Sequence, residues 1–335
     1  MEKITISKKH GMSACAIAQK DKTYYFINRG SKGIYAFDKE TNEVKFQKII
    51  PDVDNIDLYW MAVTVMDCIW FIPTRSYEKI VIFNTITKEI ELLSIPNHKD
   101  IYEKEVRPFE DCYVQNQEII LIPRFYQGIL CIDSISKQMK IIEANDINAC
   151  SSDKLNKDIY LYSSDNKRVY TFDIQDKEIK EESKIHIEEQ YNNFFIRGNK
   201  LFFVPEKGNG CVMSYDIKND RYDKIQLPLN NICSYYSCLH DDNNMFLLPY
   251  GGNVIIALNF TTNEVSEIEI SSDAKELCWG KGKKIDESML AVSESKETPM
   301  IILNDSRIEE FSIVPEKDYF LKELLMELQN KEDKA

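Results

Sequence analysis

Short apolar runs alternate with polar segments along nearly the whole chain, in one recurring unit. Each unit has an apolar run, a polar loop, a second apolar run, an Asp or Asn, a polar turn and a third apolar run. The first two copies read TYYFINRGSKGIYAFDKETNEVKF and CIWFIPTRSYEKIVIFNTITKEIEL. Five more begin at Glu118, Asp158, Lys200, Met245 and Ser288. Because Ile, Val, Phe and Tyr dominate the runs and turn residues separate them, the pattern predicts antiparallel strands.

The Asx residue gives the length of the repeat. Its seven copies are Asp38, Asn84, Asp133, Asp173, Asp216, Asn259 and Asn304. They lie 40 to 49 residues apart, which is the length of a four-stranded propeller blade. We expect a structural turn here, because a short Asx side chain bonds the backbone two residues on. Calcium would need several oxygen ligands from one loop, and each copy offers one acidic group.

A fourth strand precedes each unit. The predicted strands are Ala14–Ala18, Trp60–Val65, Cys112–Val114, Asn193–Ile196, Ser234–Cys238 and Leu277–Trp279, and the fourth repeat has its least distinct one near Ala149–Ser152. The chain is therefore predicted to be all-β, a seven-bladed β-propeller of four-stranded antiparallel blades spanning residues 1–315.

Across residues 14–313 this pattern of strand, Asp, turn and strand resembles the blades of kelch-type and YVTN-type propellers. Gly251-Gly252 is the one candidate for a kelch double glycine, and we expect it in a loop. The resemblance implies a fold and no particular family.

The two ends of the chain leave ring closure open. Either Lys3–Ser7 or Ile308–Ile313 could complete the last blade. Apolar residues on one face of Glu316–Lys331 predict an amphipathic helix, which places a C-terminal helix and tail at residues 316–335.

Composition restricts the partners. The net charge of −13 disfavours nucleic acid and anionic membranes, which attract basic surfaces. Nine scattered cysteines and the lack of a signal-like leader predict reduced thiols and a bacterial, cytoplasmic protein.

Arginine recurs where the second strand ends in three consecutive repeats. Arg29, Arg75 and Arg124 could form an arc that binds a carboxylate or phosphate. Alternatively, they pair with acidic neighbours such as Asp52, Asp54, Glu110 and Asp111.

Four aromatic residues are predicted beside that arc: Trp60, Tyr126, Tyr250 and Trp279. Trp60 and Trp279 lie in innermost strands, where a ring would project toward the channel or its mouth. Together with arginine they have the composition of a binding hot spot; filling of the channel is the alternative. Trp70, between apolar neighbours, is assigned to the core.

No sequence motif identifies catalytic chemistry. His240, before Asp241-Asp242, is the best candidate for a general base, and a surface histidine is the alternative. The cysteines near innermost strands, Cys15, Cys112, Cys150, Cys233 and Cys278, are expected to be packing residues and to bind no metal. We expect no cofactor.

These observations predict a non-catalytic binding or scaffolding propeller that uses the loop face around its channel. Its partner would be a protein, a peptide or an anionic small molecule. The alternative is a propeller enzyme, a lyase or hydrolase acting on a cyclic peptide or carbohydrate, which the YVTN resemblance permits.

Overall fold

The protein is described by a computed structural model. It describes residues 2–6, 14–28, 32–38, 40–41, 43–51, 59–75, 79–96, 107–144, 146–182, 185–207, 210–228, 234–272, 277–285, 288–293, 300–304 and 307–311. Within these ranges no helix has both the length and the apolar character needed to cross a membrane. The predicted helix at 316–331 lies outside the described residues, so the division at residue 315 stays a prediction.

Seven antiparallel blades follow one another along the chain, as predicted. Blade 1 consists of β2 (Ala14–Lys20), β3 (Thr23–Asn28), β4 (Gly33–Asp38) and β5 (Glu43–Ile49). Blade 2 consists of β6 (Tyr59–Val65), β7 (Cys68–Pro73), β8 (Lys79–Asn84) and β9 (Ile90–Ser94). Blade 3 consists of β10 (Phe109–Gln115), β11 (Glu118–Pro123), β12 (Gly128–Asp133) and β13 (Met139–Glu143). Blade 4 consists of β14 (Ser151–Leu155), β15 (Asp158–Ser163), β16 (Arg168–Asp173) and β17 (Glu178–Glu181). Blade 5 consists of β18 (Asn193–Arg197), β19 (Lys200–Val204), β20 (Cys211–Asp216) and β21 (Arg221–Gln226). Blade 6 consists of β22 (Ser234–His240), β23 (Asn244–Gly252), β24 (Val254–Asn259) and β25 (Val265–Ser272). Blade 7 consists of β26 (Leu277–Ile285), β27 (Ser288–Ser293), β28 (Met300–Asn304) and β29 (Arg307–Phe311). A strand at the start of the chain, β1 (Glu2–Ile6), precedes blade 1.

Several strand bounds differ from the sequence prediction, and two of the differences change the assignment of a segment. The innermost strand of blade 4 begins at Ser151 and runs to Leu155, later than the predicted Ala149–Ser152. Gly251 and Gly252 end β23 instead of forming a loop. The end of β23 continues as a strand because it pairs with β26 of the next blade, through Tyr250 with Cys278 and Gly252 with Leu277.

The second and third strands form the core between blades. Both faces of a blade pack against neighbouring blades, so these strands are buried on successive residues and lack the alternation of a one-sided sheet. In β7, Trp70 is 1% exposed, as predicted for a core residue. It packs with apolar residues of blade 3, including Phe109 and Leu130.

The Asx turns form as predicted. In blades 1 to 6 the Asx Oδ1 accepts hydrogen bonds from the backbone N–H groups two and three residues on. At Asp173 these come from Gln175 at 2.8 Å and Asp176 at 3.0 Å. A side-chain oxygen that serves the turn in this way explains the repeated Asx without a metal.

The ring closes without a blade that combines strands from the two ends of the chain. Blade 7 takes its outermost strand, β29, from its own segment. β1 instead adds a fifth strand to blade 6, parallel to β25, with Glu2 opposite Ile268 and Ile6 opposite Ser272. Blades 7 and 1 meet through apolar side chains, among them Leu290, Ile302 and Tyr35.

Candidate functional site

The innermost strands surround a central channel with two distinct ends. We call upper the face where these strands begin and where second strands lead into third strands; the opposite face is lower. A cavity of about 650 Å³ lies along the channel and is lined by residues of all seven blades, from Trp60, Glu110 and Ser151 near the upper end to His240 and Asn156 near the lower end.

A β-bulge lies near the upper end of the innermost strand in five blades. In blades 2, 3 and 6 the pairing shifts after the first or second residue, and the extra residues are Trp60, Glu110 and Tyr236. A bulge residue leaves the hydrogen-bond ladder and changes the direction of its side chain. The three bulges thus direct an indole, a carboxylate and a phenol to the channel mouth.

The same local sequence surrounds these three bulges. A buried aromatic residue precedes each one, and it pairs across the blade with a proline that ends or nearly ends the second strand. These pairs are Tyr59 with Pro73, Phe109 with Pro123, and Tyr235 with Pro249. Because proline has no backbone N–H to donate, the hydrogen-bond ladder between the two strands is already weakened there, and a bulge costs less free energy than elsewhere.

Arg107 connects the three bulge residues. Its Nη2 lies 2.8 Å from Glu110 Oε2 and 3.5 Å from the Tyr236 hydroxyl, and its Cζ lies 4.3 Å from the centroid of the Trp60 ring. These contacts join blades 2, 3 and 6 across the mouth. Burial lowers the pKa of Arg107, but Glu110 and the Tyr236 hydroxyl outweigh this effect and the net pKa is raised. The guanidinium is therefore firmly charged.

Arg124 is the second cation at Glu110. Its Nη1 lies 3.6 Å from Glu110 Oε2 and 3.4 Å from the carbonyl oxygen of Ala149. The backbone N–H of Arg124 donates to Pro108 O at 2.8 Å, which fixes the loop after β11. Glu110 is 1% exposed, so a buried carboxylate is compensated by two guanidinium groups, as burial of a charge requires. We call Trp60, Arg107, Glu110, Arg124 and Tyr236 the mouth cluster.

Two exposed aromatic side chains flank the mouth cluster. Phe125 is 38% exposed and its ring lies 5.5 Å from Arg124 Cζ; Tyr250 is 50% exposed and its ring lies 6.2 Å from that of Tyr236. We call these two residues the aromatic rim. Large apolar groups exposed beside arginine are typical of protein-binding surfaces.

The structure separates the residues predicted for the site. Trp60, Arg124 and Tyr250 lie at the upper mouth. Arg75 is half-buried in the equivalent loop of blade 2, and Arg29 lies outside the described residues. Arg124 contacts Glu110, one of the acidic neighbours named in the pairing alternative. Whether these residues bind a ligand stays a prediction.

Tyr126 and Trp279 are core residues, which corrects the expectation that they face the mouth. Tyr126 is 3% exposed, packs on Phe109 and donates its hydroxyl to Pro96 O at 2.8 Å. Trp279 is fully buried among residues of blades 6 and 7. The register of β26 explains this: its bulge follows Trp279 instead of including it.

Sequence reasoning missed Arg107. It lies before β10 in a segment without strand periodicity, and its contacts include a residue 129 positions away. One signal was available: Arg107 stands three residues before Glu110, immediately ahead of an innermost strand.

Inside the cavity, polar groups line one wall. Ser152 donates from its N–H and its hydroxyl to Asp111 Oδ2, at 3.1 and 2.7 Å. The Tyr113 hydroxyl lies 2.9 Å from Ser152 Oγ, and because the Ser152 proton goes to Asp111, Tyr113 is the donor of that pair. Burial, Asp111 and Asp153 raise the pKa of Tyr113 well above its usual value. Tyr113 therefore stays neutral, and it lines the cavity.

Blades 1, 2 and 7 contribute apolar side chains to the cavity lining, namely Ile17, Met61, Val63 and Met289. At Gly282 a side chain is excluded, because a Cβ would lie 2.5 Å from the carbonyl oxygen of Cys238. Strands β22 and β26 thus approach closely at the channel wall.

The two histidines that the structure describes lie in different parts of the fold. His240 lies at the lower end of β22 and stacks on Phe195 with ring centroids 4.0 Å apart, while His186 lies in a groove at the side of blade 4. Cys112 and Cys238 both line the cavity, and burial raises the pKa of the Cys238 thiol. Across the described residues, no three His, Cys, Asp or Glu side chains are grouped as metal ligands.

No protein-family model and no curated protein matches this sequence. Solved structures do resemble it. YCF48, solved with a bound D1 peptide, has a TM-score of 0.62 at 8% identity, with 87% of this chain and 91% of YCF48 covered. The computationally designed Ika8 protein has a TM-score of 0.53 at 8% identity, with 93% of this chain and all of Ika8 covered.

PorZ, a surface component of the type-IX secretion system of Porphyromonas gingivalis, has a TM-score of 0.60 at 12% identity. The match covers 91% of this chain but 38% of PorZ, so this chain corresponds to a part of PorZ. At such identities the likeness shows the propeller fold alone.

Proposed function

We propose that this chain is a non-catalytic binding propeller whose upper face docks a protein or peptide partner. The observation that carries the proposal is the convergence of three bulge residues, Trp60, Glu110 and Tyr236, on Arg107 at the channel mouth. Bulges weaken a ladder and are associated with functional sites in folded proteins.

The surroundings of this cluster suit a docking surface. Arg107 stacks on Trp60 and pairs with Glu110, which holds the centre of the mouth cluster in place, and the aromatic rim supplies exposed contact area beside it. Rigid aromatic and arginine anchors carry much of the energy in protein interfaces. YCF48, which has a similar fold and similar length, was solved with a peptide.

Selection of peptides from a random phage library on the wild-type protein tests the proposal. We expect enriched peptides whose affinity falls about tenfold or more in Tyr250→Ala and Phe125→Ala, as for residues at the centre of an interface. Binding would be measured by fluorescence polarisation with labelled synthetic peptides.

The matched control is Ile135→Ala, which removes an exposed apolar side chain, 64% exposed, from a lower-face turn. It should leave peptide affinity unchanged. Peptides that are sensitive to Ile135→Ala and insensitive to the rim variants would place docking on the other face and overturn the proposal, as would the absence of any enriched peptide.

A further inference from the structure

We infer that the group recognised at the upper mouth is a carboxylate of the partner, and that Arg124 is the residue that binds it. This inference rests on the proposed function and adds the chemistry of the partner. It follows from the unequal way in which the two arginines of the mouth cluster are held.

Arg107 is fully engaged within the protein. It makes the short contact to Glu110, lies against the Trp60 ring and reaches Tyr236. Its side chain is 19% exposed. Arg107 is therefore a positioning residue, which holds Trp60 and Glu110 in place and connects blades 2, 3 and 6.

Arg124 is held more loosely. Its contacts to Glu110 Oε2 and Ala149 O, at 3.6 and 3.4 Å, both involve Nη1 and are long for a charge-assisted hydrogen bond. Its side chain is 27% exposed. A guanidinium has five N–H donors in a planar fork. Within the described residues the polar contacts of Arg124 use Nη1 alone, and Nη2 and Nε are the donors that would bind a planar carboxylate in a bidentate pair.

The local charge favours an anion at this position. Arg107 and Arg124 share Glu110, the carboxylate that both contact. Asp111, which follows Glu110 in the chain, points to blade 4 and accepts two hydrogen bonds from Ser152. Phe125 beside Arg124 adds apolar contact next to the charge, so a carboxylate adjoining an apolar or aromatic residue fits the site best.

The probes are the peptides selected on the wild-type protein, each made in three further forms: with Asp or Glu changed to Asn or Gln, with an amidated C-terminus, and with both changes. We expect roughly ten- to hundredfold weaker binding when the recognised carboxylate is removed. The comparison distinguishes an acidic side chain from the chain terminus as its source. Affinity should also fall as salt rises.

Arg124→Gln should lower the affinity for carboxylate-bearing peptides to that for their neutral forms. The substitution in the protein and the loss of the carboxylate in the peptide should therefore not be additive. Arg124→Lys, which keeps the charge and loses the fork, should give an intermediate affinity. The control Arg221→Gln removes the same charge from the lower side of blade 5, where Arg221 pairs with Asp223, and should have no effect.

Two outcomes overturn the inference and leave docking intact: peptides that depend on the aromatic rim but bind equally well in neutral form, and a carboxylate effect that persists in Arg124→Gln. If no selected peptide binds more weakly to Tyr250→Ala or Phe125→Ala than to the wild type, the proposed function is overturned instead. Thermal midpoints of the variants close to that of the wild type exclude unfolding as the cause of lost affinity.

Discussion

At the scale of single residues, the lower-face turns show how side-chain contacts compensate for an unfavourable backbone conformation. The residue four positions after the Asx has a positive φ: 61° at Lys88, 61° at Lys137 and 58° at Lys177. Lysine is disfavoured there, but each ammonium lies over an aromatic ring, with Lys137 Nζ 4.3 Å from the Trp70 centroid in the neighbouring blade. These cation–π contacts, which for Lys88 and Lys137 include a ring of the preceding blade, offset part of the local cost.

The turn at Asp173 predicts a dependence of stability on pH. A hydrogen bond from Lys157 Nζ at 2.6 Å, with the backbone N–H groups of Asp176 and Gln175, lowers the pKa of Asp173 to about 2. An unfolded Asp titrates near ~3.9. The stabilising contribution of the carboxylate is therefore complete above about pH 4 and is lost as the pH falls through 2.

Asp173→Asn keeps the acceptor of the turn, as Asn84 and Asn259 do, and removes the titration. We expect a smaller decrease of the thermal midpoint between about pH 5 and pH 2 than in the wild type, measured by circular dichroism. The reciprocal change Asn84→Asp should enlarge the decrease. Equal slopes in all three proteins would contradict the assignment.

At the scale of elements, side chains of the innermost strands connect one blade to the next. Ser151 Oγ donates to Phe194 O and accepts from Phe194 N, both at 3.1 Å, and Asp153 Oδ2 accepts from Ile196 N at 2.7 Å. These partners lie 43 residues apart. The inner edge of each blade has no neighbouring strand, so side chains satisfy backbone groups that would otherwise be buried without partners.

Two buried serines of innermost strands test this role. Ser151→Ala leaves both backbone groups of Phe194 without their partner and should lower the free energy of unfolding by about 1–3 kcal/mol. Ser237 is equally buried, but its Oγ has no hydrogen-bond partner among the residues that the structure describes, so Ser237→Ala should be neutral or slightly stabilising. Urea denaturation followed by fluorescence measures both; equal losses would show that the bond to Phe194 is not what matters.

The elements that the sequence predicted are those set by local patterns. Apolar runs and Asx turns act within a few residues, so β3, β4 and the turn at Asp38 follow from the chain itself. The bulges at Trp60, Glu110 and Tyr236 depend on pairing with a second strand, and the meeting of Arg107 with Tyr236 depends on closure of the ring. For the same reason Trp279, at a similar position in its repeat to Trp60, could not be assigned to the core from sequence.

At the scale of the whole molecule, β1 connects blades that are not consecutive. It pairs with β25 on the outside of blade 6, and the chain then continues to β2 of blade 1. Blade 7 is completed by β29 and contacts blade 1 through side chains. β1 thus ties blade 6 to the beginning of the ring and covers the edge of β25, which would otherwise be available for pairing with another chain.

Removal of residues 2–6 should therefore lower stability and expose a strand edge without removing any part of a four-stranded blade. We expect the thermal midpoint to fall by several °C or more, since each lost backbone hydrogen bond contributes about 0.5–1.5 kcal/mol and each kcal/mol corresponds to ~2–4 °C. The exposed β25 edge should also promote self-association, visible by size-exclusion chromatography. A synthetic peptide of residues 1–8, added in excess, should restore the midpoint and reverse the added self-association, because pairing with β25 uses backbone groups that the peptide also carries. A scrambled peptide of the same composition is the control for non-specific stabilisation. An unchanged midpoint in the truncated chain, or equal rescue by the scrambled peptide, would mean that apolar packing between blades 7 and 1 closes the ring without help from β1.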